Sequence, residues 1–286
     1  FVLAGLMMFV SRVRRRDGPA PDPTQLVLLS AIGIVTHPVL DWTNTYGMRW
    51  LMPFSGRWSY GDALFIIDPW IWITLGAGVW LARRRGGAVR ERTPEGMRRV
   101  SAPSRLAVAL VSGYVLAMAG WTLLARRAVD RELSRLGVVA TAVVVDPVPV
   151  NPIGRRVIYR SDGAYHVTEL RWTPSPVLSP VRFSLTINDG GPLVVAATAT
   201  AAGREFLSWS RLPFYVVEVG ADSSWVRIGD ARYTLGVGPS WAAVRIRVPT
   251  NAVTARTVCR ACARRGCNSK TIVATASSGR ISCAPS

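Results

Sequence analysis

His37 and Asp41, a histidine and an aspartate four residues apart, close an apolar run. On a helix, positions i and i+4 share one face. A neutral imidazole beside a carboxylate suits zinc, manganese or iron. A lone histidine near a helix end is commonly structural. Three features favour a ligand here. Asp41 follows one turn later. The pair lies at the edge of an apolar segment, where an ionisable group is costly and tends to be functional. Asn44, Tyr46 and Arg49 follow closely and can orient ligands or a substrate anion.

A catalytic zinc site typically takes three protein ligands and a water. Asp62 and Asp68 stand at the mouth of the next apolar run. Asp62 is a candidate ligand, with less support than Asp68, since it could be only an N-cap. Asp68, followed by Pro69, falls one turn inside that run, where a carboxylate needs a partner. A metal, Arg49 or Arg57 would serve. The chemistry expected is metal-assisted hydrolysis with a divalent ion, zinc first among the choices. His37, Asp41 and Asp62 are the expected metal ligands. Asp68 and Arg49 are the expected catalytic residues, with Arg49 and Arg57 holding an anionic group such as a lipid phosphate. His166, in the alternating stretch AYHVTE, reads as a strand-face residue. The chain has no GxSxG, no P-loop and no dinucleotide fingerprint.

The elements that must position these residues are membrane helices. Of 286 residues 49% are hydrophobic, and 11 are tryptophan, which points to membrane segments. Residues 1–10 read as the end of a span, 25–41 as a second, 63–82 as a third and 105–125 as a fourth. Trp70, Trp72, Trp80 and Trp121 lie near span ends, where indoles favour the interface. The net charge of +18 would suggest nucleic acid if it formed one polar face. Instead the arginines flank apolar runs, at Arg12–Arg16, Arg83–Arg85, Arg98–Arg99 and Arg126–Arg127. That is a topology signal, and nucleic-acid binding is not expected. The arginine-rich loop 83–105 and the segment 12–16 are expected in the cytoplasm, with the loop 42–62 and everything after about residue 126 outside.

From about residue 138 the pattern changes to short alternating runs, among them RRVIYRS, AYHVTELRW, FYVVEV and AVRIRV. Asp162-Gly163, Asn188-Asp189-Gly190-Gly191 and Gly220-Ala221-Asp222 supply turn chemistry between them. The expected fold is an α-helical polytopic membrane domain over 1–127, carrying the metal-site loop 36–69, followed by an antiparallel β domain over 128–249. The tail, 250–286, lacks periodicity and holds all 4 cysteines. Cys259, Cys262 and Cys267 begin as CxxC, but Cys283 does not complete a second zinc-ribbon pair. Disorder, or out-of-frame translation of GC-rich DNA, is the expectation for this tail. Phe1 opens inside an apolar run, so the chain is read as lacking its true N-terminus.

The run THPVLDWTNTYGMRWLMPFSGRWSYGDALFIIDP resembles the core of the YdjM-type membrane-bound metal-dependent hydrolases, a bacterial inner-membrane family. The similarity lies in the His-x3-Asp, the NxYG turn, the PFS segment and the D-x-LFIIDP stretch. VPVNPIGRRVIYRSDGAYHV, FLSWSRLPFYVVE and VRIGDARY resemble the C-terminal region of the family's long form. Similarity extends over roughly 1–248 and is most specific at 36–69. It implies a metal-dependent hydrolase of the inner membrane. It also implies that further His- and Asp-containing motifs upstream complete the ligand set. Membrane lipids are the expected partners, and a lipid or phosphoester the expected substrate. The competing expectation is a non-catalytic, membrane-anchored β module that binds an envelope partner, using arginines with Trp209, Trp225 and Trp241.

Overall fold

The computed structural model describes residues 2–13, 22–88, 94–220, 223–234 and 241–249. The cysteine-bearing tail, Arg14–Arg16, residues 18–21 and the pair Ala221-Asp222 lie outside the described residues. Four long helices come first: α1 (Val2–Val13), α2 (Pro23–Thr43), α3 (Pro69–Ala88) and α4 (Pro94–Arg135). Strands follow: β1 (Ala142–Pro147), β2 (Arg155–Ser161), β3 (Ala164–Arg171), β4 (Val177–Leu178) and β5 (Phe183–Thr186). Two short helices, α5 (Pro192–Thr198) and α6 (Ala201–Trp209), precede β6 (Pro213–Glu218), β7 (Ser223–Asp230) and β8 (Ala243–Pro249).

The chain divides into two compact units. The first takes in the described residues up to Val138, with Val144–Val157 and Thr168–Pro180. The second takes in Val139–Val143, Ile158–Val167 and the described residues from Val181 on.

In the first unit, α2 starts two residues before the apolar run expected at 25–41. Pro23 needs no N–H partner at the first turn, and the Asp22 carboxylate accepts from Thr24 N at 2.9 Å. Leu28, Leu29, Ile34 and Val35 are all exposed, so apolar side chains ring the helix. Such a surface is stable in hydrocarbon, and 21 residues reach about 32 Å against a core of about 30 Å. Two described helices are long and apolar enough to cross a membrane: α2 and the Arg98–Arg135 portion of α4.

The expected span at 63–82 is corrected. Residues 63–68 are not helical, and α3 begins at Pro69. Proline is favoured at the first turn of a helix, and the Asp68 carboxylate just before it accepts from Trp70 N and Ile71 N, so α3 starts at Pro69. Ala63 and Leu64 instead bury themselves against the end of α2, donating to Thr43 O at 2.7 and 3.0 Å. The apolar part of α3 ends at Ala82, before Arg83–Arg85. It packs along α4, with Ser104 Oγ donating to Gly78 O at 3.4 Å. A Cβ on Gly78 would lie 2.5 Å from the Ala107 Cβ, so only glycine permits this approach. The Trp70 indole donates to Val150 O, and those of Trp121 and Trp172 to Ile153 O, at 2.9–3.0 Å.

The C-terminal part is antiparallel β, as the alternation predicts, in sheets ordered β1-β2-β3-β4 (with β5 also on β3) and β6-β7-β8. Asp162 and Gly163 turn between β2 and β3 with φ of 48° and 73°, the left-handed pair of a two-residue hairpin. In the second unit, β7 registers Trp225 opposite Glu218 on one side and Arg247 on the other. Helices α5 and α6 were not expected from the sequence. Val194 and Ala197 of α5 join Tyr215, Val226, Ile228, Ile246 and Val248 in one core, against which Phe206 and Leu207 of α6 pack. Thr200 Oγ1 caps α6 by accepting from Gly203 N at 3.0 Å.

Candidate functional site

His37 and Asp41 meet on the last turns of α2, with Nε2 and Oδ2 3.3 Å apart. Their side chains are 79% and 48% exposed. The chain then turns at Asn44, whose Oδ1 accepts from Tyr46 N at 2.7 Å and Gly47 N at 3.3 Å. Gly47 takes φ +81°, and a side chain there would strike Tyr60. The loop folds back through paired backbone bonds between Met48 and Ser59, and Trp42 Nε1 donates to Ser59 Oγ at 2.9 Å. Tyr46, Trp58 and Tyr60 pack in series, and the Arg49 guanidinium lies 5.0 Å from the centre of the Trp58 ring. Arg49 is thus held by an aromatic face, and not by either aspartate.

Asp62 and Asp68 are engaged elsewhere. Asp62 has φ 51° and no exposed surface. Its Oδ2 accepts from Arg126 Nη2 at 2.6 Å, and its carbonyl accepts from Thr122 Oγ1 at 3.0 Å. Asp68 does not sit one turn inside a helix as expected. It caps α3, with Oδ1 accepting from Trp70 N at 3.0 Å and Ile71 N at 3.3 Å, while Oδ2 accepts from Tyr114 Oη at 2.8 Å. Asp62 and Asp68 thus join α4 to the loop and to α3. Among the described residues, no group of three or more His, Cys, Asp and Glu side chains is placed to hold a metal ion.

Residues 1–132 match the sequence profile of the YdjM inner membrane protein family. The YdjM region covers all four long helices up to Glu132 and the whole loop that carries His37, Asp41, Asp62 and Asp68. With the two span-length helices, this makes the chain a membrane protein of the inner-membrane type. No curated protein and no solved structure matches the chain.

Tyr114, Thr122 and Arg155 were not singled out from the sequence, and Arg126 was read only as a topology signal. Thr122 and Arg126 are one turn apart on α4, and Tyr114 lies two turns earlier, close to the same face. A tyrosine inside an apolar span was the available signal. Arg155 is buried. Its Nη1 donates to Pro152 O and Gly154 O at 2.8 Å, and its Nη2 to Thr122 Oγ1 at 3.3 Å. Burial pulls its guanidinium down to about 10, against the attraction of Tyr114 and Asp146.

His166 is a strand-face residue, stacked on Tyr159 with Nδ1 2.8 Å from Ser184 Oγ. A buried ion pair in the second unit also escaped the sequence reading. Arg232 Nε and Nη2 grip both oxygens of Asp230 at 2.9 and 3.0 Å, and Ser210 Oγ donates to the same carboxylate at 2.7 Å. Both side chains are fully shielded from solvent, which marks this pair as architectural.

Proposed function

We propose that the chain is a membrane-bound, metal-dependent hydrolase that cleaves an ester or phosphoester at the membrane surface. The observation behind this reading is the 3.3 Å separation of two solvent-exposed donor atoms on His37 and Asp41. At metal–ligand lengths of about 2.0–2.1 Å, neighbouring ligands of a tetrahedral ion stand about 3.3 Å apart. The pair therefore has the spacing of one edge of a coordination shell. It does not make a whole shell, and two protein ligands suit an ion that keeps water ligands.

When bound, a divalent ion supplies an acidified water and a polarised scissile bond. The chain's own residues do the holding. His37 and Asp41 present their donors outward from a helix end. Asn44 fixes the turn that follows them. Arg49, seated on Trp58, carries a permanent positive charge in the same loop for an anionic substrate group. Asp62 and Asp68 act as positioning residues, since each ties the loop or α3 to α4.

Hydrolysis of a chromogenic phosphodiester by the detergent-purified chain, with zinc or manganese added, tests this reading. The account expects His37→Ala and Asp41→Asn to lose turnover, and Arg49→Gln to raise KM. Unchanged turnover in His37→Ala would sink it. A second reading, the non-catalytic β module, draws on Trp241, which is 71% exposed with its ring against Tyr233. It expects no turnover and no bound metal in the parent protein.

A further inference from the structure

The pairing of α3 with α4 leaves a groove of about 440 Å³ along one side. Ala77, Gly78 and Ala107 contribute small side chains to it, and Ile73, Leu81, Leu106 and Leu110 line it with larger ones. Those four larger side chains are 40–62% exposed, so the groove opens outward along its length. At about 1.5 Å per residue, Ile73 to Arg85 covers about 18 Å of helix. One leaflet of a bilayer core is about 15 Å thick, half of about 30 Å.

The two ends of the groove differ. Near Ile73 and Leu110, one turn away, Asp68 accepts from Tyr114 Oη, so that end presents an acidic side chain and not a cation. At the other end stands Arg85. Its neighbour Arg84 is held over the Trp80 ring, 3.9 Å from its centre, but Arg85 has no hydrogen bond or ion pair among the described residues. Arg83, Arg98 and Arg99 lie on the same helix ends, with Glu95 the sole described acidic residue in the stretch 83–105.

We propose that this groove is a binding site for an anionic phospholipid of the surrounding membrane. One acyl chain lies between α3 and α4, and the phosphate sits on Arg85. The apolar walls accept any acyl chain, so the net charge of the headgroup decides: a zwitterionic lipid brings its own cation beside the Arg85 guanidinium, and an anionic one does not. The proposal is independent of the hydrolase reading, because it uses none of the residues around His37.

Native mass spectrometry of the full chain in detergent, titrated with phosphatidylglycerol or phosphatidylcholine of identical chains, tests it. The parent should retain phosphatidylglycerol about fivefold more tightly, the scale set by one basic residue at an anionic surface. Arg85→Gln, at an exposed position, should erase that preference while leaving binding of both lipids. Leu106→Trp, which fills the groove from an exposed wall, should reduce binding of both. An unchanged melting temperature would show that each variant is folded. No preference in the parent, an undiminished preference in Arg85→Gln, or undiminished binding in a folded Leu106→Trp would overturn the proposal.

Discussion

The Asp62 carboxylate lies 2.6 Å from the Arg126 guanidinium, and Asp62 is wholly shielded while Arg126 is 40% exposed. The pair bridges the loop after α2 to the C-terminal turns of α4. Removing one partner of a buried pair leaves the other charge without compensation. Asp62→Ala should therefore destabilise the membrane unit by about 2–4 kcal/mol, below the fully buried range because Arg126 reaches solvent. Thermal unfolding in detergent checks this. A change within about 0.5 kcal/mol would show that the pair holds nothing together.

Tyr114 and Asp68 offer a finer test. Tyr114→Phe keeps the ring and removes the donor to Asp68 Oδ2, leaving half of a buried carboxylate without that bond. The expected cost is about 1–3 kcal/mol. Asp68→Ala should cost more, since it also removes the cap on Trp70 N and Ile71 N. Equal melting temperatures for the two variants would contradict the double role of Asp68.

How much of this was legible in the sequence follows from the range of each interaction. The second span was legible as the apolar run 25–41, while α2 starts earlier, at Pro23 behind the Asp22 cap. The β2–β3 hairpin was legible because Asp162-Gly163 states its own backbone geometry. The start of α3 was misjudged because averaged hydropathy runs smoothly through ALFIIDPWIW, whereas the backbone breaks before Pro69. Helices α5 and α6 hide in PLVVAATATAAGREFL, where small residues blur any period and the Thr200 cap sits between two short helices. At the site, His37 and Asp41 were readable from i and i+4. The partners of Asp62 and Asp68 lie 64 and 46 residues away, beyond any local pattern.

The Asp230–Arg232 pair makes the second unit sensitive to acid. Burial alone would raise the Asp230 carboxyl, but the hydrogen bond and charge of Arg232, with Ser210 and the Arg232 N–H, hold it below its ordinary 3.8. A carboxyl depressed on folding contributes stability that is present above the unfolded value and lost as pH falls through the folded one. The unit should therefore lose stability as pH drops below about 4. Asp230→Asn should lower stability at neutral pH and flatten that acid limb. An acid limb of the same depth in the variant would assign it to other groups.

Gly163 occupies φ +73° with open space around its α-carbon. Alanine there meets no neighbour, so the cost is backbone strain alone, about 1–2 kcal/mol. Gly163→Ala should lower the unfolding free energy by that amount. A neutral effect would mean that the turn readily changes type.

The hydrolase reading stands on the two donor atoms of His37 and Asp41. Equilibrium dialysis of the detergent-purified chain against zinc and against manganese, with bound metal then quantified, addresses them directly. Comparison with His37→Ala subtracts any metal held by the thiols of Cys259, Cys262, Cys267 and Cys283. The account predicts about one more ion per chain in the parent than in the variant. Equal uptake by the two proteins would contradict it and leave His37 and Asp41 as an ordinary ion pair at a helix end.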